Sequence, residues 1–144
     1  MSTALLFKNI QALKKQLNWL ERSLDICKKI GNKADFTLEE LDKFETLTGR
    51  FSRSIDFLVR KVFRSLDDIE FESQGTLIDV VNNAHKRGLF KNIEDIGALR
   101  DLRNDIVHEY LDEGLKENFS ELLELTPKLI EIIKTTINYS GKYI

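Results

Sequence analysis

Residues 37–66 have the sequence TLEELDKFETLTGRFSRSIDFLVRKVFRSL, in which apolar side chains recur at steps of three and four. This spacing places the apolar residues on one face of an α-helix. Thr37 and Glu40 form the pattern of a capping box, which marks the start of a helix. The segment predicts one helix of roughly 30 residues, suited to a coiled coil or to a helical bundle. Its apolar face comprises Leu38, Leu41, Phe44, Leu47, Phe51, Ile55, Leu58, Val59, Val62 and Leu66.

A second amphipathic helix precedes this segment. Its apolar residues also alternate in steps of three and four, and Gly31 with Asn32 can end it in the left-handed conformation of a C-terminal cap. The predicted buried face consists of Leu6, Ile10, Leu13, Leu17, Leu20, Leu24 and Cys27.

The rest of the chain contains three further helical patterns. After an acidic, aperiodic connection at 67–73, a short helix is predicted from about Gly75 to Arg87, and Gly88 ends it. Asn92 can cap a fourth helix and Asp112 a fifth, which Pro127 should kink or split. The pattern predicts an all-α fold, a single up-and-down bundle of about five helices that spans residues 1–144 as one domain.

The composition agrees with a folded helical domain. Of 144 residues, 42% are hydrophobic and 32% charged, and Pro occurs only once. A net charge of −2 argues against a basic coat for nucleic acid, although it permits a local basic patch. The single Cys27 allows no internal disulfide, and the pattern of histidines predicts no metal site and no cofactor. With no secretory or membrane-spanning pattern, we expect a cytoplasmic protein.

The fourth predicted helix carries a cluster of polar residues. On a helical wheel with Arg103 at zero, Asn104 lies at about 100° and His108 at about 140°, so these two are stacked neighbours. Arg103 lies at the edge of the apolar stripe, where a cation is costly unless it is paired or faces a cleft. It could pair with a carboxylate on a neighbouring helix and only stabilise the bundle, or it could bind a ligand.

The segment ALRDLRNDIVHEY, residues 98–110, resembles the motif of the HEPN family. The shared pattern is Arg103 followed directly by Asn104, then His108 and Tyr110. The resemblance is to the HepT-like toxin branch, and it implies a HEPN-like helical bundle that forms a homodimer and cleaves RNA without metal. Arg103 and His108 would then be catalytic, Asn104 would support them, and an MNT-type nucleotidyltransferase antitoxin would silence the toxin by adenylylating Tyr110.

These residue types suit that chemistry. RNA cleavage without metal needs a base for the 2′-hydroxyl, an acid for the leaving oxygen and a cation for the charged phosphorane. Histidine side chains exchange protons near neutral pH, and arginine binds phosphate with a bidentate fork. One histidine cannot be acid and base in the same step, so a dimer that brings a second His108 into the cleft would supply the missing group.

Two other functions remain open for the same residues. Related helical proteins act as non-catalytic substrate-binding subunits of nucleotidyltransferases, and a helical interaction domain could use Arg103 and His108 structurally. Arg53, Arg60 and Arg64 form a basic stripe that could contact RNA weakly, although a solvated helix face explains it as well. A cationic helix end accounts for Arg87 and its neighbours.

Overall fold

The computed structural model describes residues 2–70, 75–108 and 112–144. These residues contain no β-strand, and the protein is 85% helical. The all-α prediction is therefore confirmed. None of the described helices is long and apolar enough to cross a membrane. The helices are α1 (Ser2–Ile30), α2 (Leu38–Phe57), α3 (Phe63–Ile69), α4 (Leu77–Lys86), α5 (Ile93–His108) and α6 (Asp112–Ser140).

A π-helical turn, Leu58–Val62, joins α2 to α3 without a break, so the predicted long helix exists as one continuous rod. Thr37 and Glu40 form the expected capping box, with the Glu40 N–H donating to the Thr37 hydroxyl over 3.1 Å. Inside the rod the Phe63 N–H donates to the Leu58 carbonyl, the i to i−5 bond of a π-turn. The apolar spacing predicted the rod, although it gave no sign of this wider turn.

The long rod and α1 run antiparallel. Asn9 near the start of α1 donates to the Ser65 hydroxyl over 2.8 Å, while Cys27 near its end contacts the Lys43 carbonyl over 3.4 Å. Burial raises the pKa of the Cys27 thiol to about 11, so this thiol stays protonated at neutral pH.

α6 runs parallel to the long rod. Its Phe119 stacks on Phe44 near the start of α2, with the ring centroids 4.3 Å apart, and its Tyr139 bonds to Glu70 after the end of α3. α5 packs against both α2 and α6. These contacts confirm a helical bundle in which α1 runs antiparallel to both the long rod and α6.

The helix ends agree with the sequence in most places. Gly31 and Gly88 have φ of 71° and 79°, the left-handed conformation predicted for them, and Leu89 and Phe90 fold onto the core. Pro127 does not split the last helix, because α6 continues from Asp112 to Ser140. The hydrogen bond that Pro127 cannot donate is one bond among many in a long helix packed on the core.

A buried ionic cluster corrects one expectation and extends another. Residues 67–69 belong to α3 and not to the predicted connection, and the Asp67 carboxylate is fully buried. Arg87 caps the end of α4, as the prediction of a cationic helix end requires, but its side chain is only 5% exposed and bonds Asp67 and Glu70 over 2.6 Å each. Neither pair is visible in a local pattern, since the partners lie 20 and 17 residues apart.

The same cluster anchors the end of α6. The hydroxyls of Tyr139 and Tyr143 both donate to Glu70 over 2.5 Å. Burial opposes the ionisation of Glu70, but the bonds from Arg87 and the two tyrosines outweigh it and lower its pKa. The hydrogen bond to Glu70 raises the pKa of Tyr143 to about 12. The cluster therefore ties α3, the end of α4 and the end of α6 together.

Candidate functional site

The apolar stripe of α5 fixes which of its residues face solvent. Ile96, Leu99 and Leu102 are buried and Ile106 is half-buried, as predicted. The helix packs with this stripe against α2 and α6. Residues on either side of the stripe are therefore held at the edge of the bundle with a defined orientation.

Arg103 lies at that edge and is bound by Asp56 of α2. Its Nη2 and Nε atoms donate to the same carboxylate oxygen, Asp56 Oδ2, over 2.9 and 3.1 Å. The two side chains are 31% and 36% exposed, so the pair is open to solvent on one side. The expectation that Arg103 could pair with a carboxylate on a neighbouring helix is met, although that carboxylate is only partly buried.

Asn104 and His108 are both exposed on the adjoining face of α5. The Oδ1 atom of Asn104 accepts a hydrogen bond from Arg103 Nη1 over 3.3 Å. Among the described residues, neither Asn104 nor Arg103 bonds to His108, the last residue of α5. Arg103, Asn104 and Asp56 thus form one network, and the His108 imidazole lies beyond it toward the helix end.

The predicted modification site, Tyr110, lies outside the residues that the structure describes.

The residues of the predicted basic stripe precede and follow Asp56 along the long rod. Arg53 and Arg60 are exposed, three residues before and four residues after Asp56 on the same side of the rod. Arg64 is half-buried and donates to the Gly75 carbonyl over 3.4 Å, so part of its hydrogen-bonding capacity is used within the fold. The Arg53 guanidinium lies near Gly49, on the side away from Asp56, and the cation that the described contacts place on Asp56 is Arg103.

Asp56 is the site residue that sequence reasoning missed. Its only local signal is its place between Arg53 and Arg60 on a helix face otherwise rich in cations. Its partner Arg103 is 47 residues away in the chain, so the pair depends on how α5 packs against α2.

We expect that replacing Asp56 by Asn lowers the free energy of unfolding by at most about 1 kcal/mol, because partly exposed ion pairs contribute little. Urea unfolding followed by circular dichroism measures the change. A loss several times larger would show that the bundle depends on the pair, and Arg103 would then be a structural residue.

Comparison with known proteins identifies no relative: no family model, no curated protein and no solved structure matches the chain. Among the described residues, no group of three or more histidine, cysteine, aspartate or glutamate side chains could hold a metal ion. The motif residues and their contacts are therefore the features of this chain that bear on its function. By its structure, the chain is an all-α helical bundle with a polar cluster at the edge of α5.

Proposed function

We propose that this protein is a metal-independent endoribonuclease of the HepT-like HEPN type, with a composite site formed by α5 of two identical subunits. The observation that carries the proposal is the arginine at the edge of α5. Arg103 is held by Asp56 yet remains partly exposed, and Asn104 and His108 lie exposed beside it. By contrast, the side chain of Arg87 is only 5% exposed and is enclosed by its two carboxylate partners.

In this proposal RNA cleavage needs a base, an acid and a cation. A base removes the proton of a 2′-hydroxyl, whose oxygen attacks the adjacent phosphorus and displaces the 5′-oxygen of the next nucleotide. An acid then protonates that leaving oxygen, so a 2′,3′-cyclic phosphate and a 5′-hydroxyl result. The Arg103 guanidinium stabilises the negative charge of the phosphorane, and the Asn104 amide can donate to a phosphate oxygen.

A dimer supplies the second proton carrier. Each chain has one His108, so a two-fold axis next to α5 would bring two imidazoles, one as base and one as acid, to the same phosphate. In this proposal an MNT-type nucleotidyltransferase is the antitoxin, and Tyr110 is the residue it modifies.

The second candidate is a non-catalytic substrate-binding subunit of such a transferase. It is favoured by the engagement of Arg103, two of whose donors are directed at Asp56 and a third at Asn104. An arginine already neutralised in this way is suited to positioning a ligand or a partner. A phosphate must compete with Asp56 for it.

The test is to incubate the purified protein with cellular RNA in EDTA, beside the Arg103→Ala and His108→Ala variants. We expect the wild type to cleave and both variants to lose almost all of the activity, with unchanged circular dichroism and unchanged mass in solution. Folding should survive because Arg103 is only in a partly exposed pair and His108 is exposed.

No cleavage by a well-folded wild-type dimer would overturn the ribonuclease proposal. Capture of a nucleotidyltransferase by the wild type, and its loss in Arg103→Ala, would then support the binding subunit. Cleavage that persists in both variants would point to a contaminating nuclease and would also remove the support for this site.

A further inference from the structure

Trp19 forms an exposed aromatic ridge on α1, far from the motif in the sequence. It is the only tryptophan in the chain and is 47% exposed. A depression lies on each side of it, of about 190 Å³ toward α2 and about 310 Å³ along α1. Trp19 and Arg22 line both depressions, so together they form the wall between them.

Both depressions are basic. Four cations line them, and no carboxylate is among the described residues that do so; the cations are Lys15, Arg22, Lys43 and Arg50. A concave surface with this charge stands out on a chain whose net charge is −2. We call it the Trp19 groove, defined by Trp19 and these four residues.

The arginines of the Trp19 groove keep their charge. The guanidinium carbon of Arg50 lies 4.4 Å from the centre of the Trp19 ring, and that of Arg22 lies 5.8 Å from it. The described residues show no ion pair for either arginine, and the Nε atom of Arg50 is buried without a hydrogen-bond partner. A ring positions a guanidinium without neutralising it, whereas Arg87 and Arg103 are neutralised by carboxylates.

The Trp19 groove and the motif site both adjoin α2, through Arg50 and Asp56. Asp56, which holds Arg103, follows Arg50 by six residues, about 9 Å along the helix axis and about 120° around it. The exposed Arg53 lies between them on the helix surface, and its Nη1 atom is 3.4 Å from the position of a Cβ on Gly49. One extended strand that follows this surface could therefore contact both places.

We propose that the Trp19 groove binds single-stranded RNA, with a base stacked on Trp19 and the phosphates bound by the four cations, and that it guides the strand toward Arg103. Stacking on an aromatic ring between cations is how proteins hold single strands without reading their sequence. The choice of RNA over DNA rests on the proposed function, whereas the groove as a site for a single strand is inferred from its lining residues and their contacts.

Direct binding can be measured without cleavage. The probe is an oligouridylate of about 12 nucleotides with 2′-O-methyl groups, which lacks the attacking hydroxyl and is within the usual length for one binding surface. Because Trp19 is the only tryptophan, its fluorescence reports on this site alone. We expect the probe to quench it, and Trp19→Ala to weaken binding of a labelled probe roughly 5- to 100-fold in anisotropy.

A charge-matched pair of variants tests the cations. Arg22→Gln with Lys43→Gln should reduce the slope of log K against log salt by about 1.4, since each phosphate contact on a single strand contributes about 0.7. The control is Lys14→Gln with Lys28→Gln, which removes the same charge from exposed positions on the opposite side of α1. This control pair should leave the slope unchanged.

The outcomes separate the groove from the catalytic proposal. The Arg103→Ala variant should still quench and bind, because the probe is not cleaved and Arg103 lies outside the groove. Quenching without any cleavage of natural RNA would support the groove and refute only the ribonuclease. An unchanged affinity of the Trp19→Ala variant for the probe would overturn the proposed groove even if RNA cleavage is found. An equal reduction of the salt slope in the Arg22/Lys43 variant and in the Lys14/Lys28 control would overturn it too. Absence of probe binding would overturn it as well.

Discussion

If the protein is the proposed homodimeric ribonuclease, its His108→Ala variant is expected to cleave RNA roughly 10²- to 10⁴-fold more slowly than the wild type, the usual contribution of a proton-transfer group. Folding should not change, because the imidazole is exposed at the end of α5. If two His108 side chains share one cleft, as acid and base, a dimer with one wild-type and one variant subunit should be inactive too.

Mixed dimers measure this sharing. After subunits are exchanged at an equal ratio, about a quarter of the dimers are purely wild-type, so about a quarter of the activity should remain. If each subunit had its own complete site, half of the activity would remain. The matched control is an equal mixture with Lys14→Ala subunits, whose substituted side chain is exposed on another helix, and full activity is expected there. Retention of half the activity in the His108 mixture would rule out the shared cleft.

Replacement of Arg87 by Met should destabilise the protein by about 3–5 kcal/mol, the range found when one partner of a buried ion pair is removed. The Asp67 carboxylate is fully buried and would lose its counter-ion, and Glu70 would lose one of its three donors. We expect the melting temperature to fall by roughly 10 °C or more. Calorimetry or denaturant unfolding measures the loss.

The neighbouring Lys86 offers the control for that change. Its side chain is exposed, so Lys86→Met alters the same charge and a similar shape but should stay within about 0.5 kcal/mol of the wild type. Equal effects of both substitutions would show that the buried cluster contributes no special stability.

Acid should narrow the difference in the free energy of unfolding between the wild type and the Arg87→Met variant. The pKa of Glu70 is lower in the folded protein than in the unfolded chain. Its ionisation therefore stabilises the fold above the unfolded-state pKa, and this contribution is lost as the pH falls through the folded-state value. The variant has lost the Arg87 bond, so it has less of this stability to lose in acid.

Much of the candidate site could be predicted from the sequence. A helical wheel placed Arg103 at the edge of the apolar stripe and Asn104 and His108 on its polar side, which is where the structure has them. The wheel could not supply Asp56, whose contact with Arg103 joins two different helices. Nor could it supply the Trp19 groove, because Arg50 and Trp19 come from helices that meet only in the bundle.

The sequence by itself determined most of the helices, several of their ends and their buried faces, because helical periodicity and capping depend on residues three or four apart. Only the tertiary structure decided what each arginine does. Arg87 is neutralised in the core, Arg103 is paired at the edge, and Arg50 keeps its charge on an aromatic ring. All three are arginines on amphipathic helices or at their ends, and the environment of each is set by side chains from other helices. Packing brings those side chains together across the bundle, so a local pattern does not contain them.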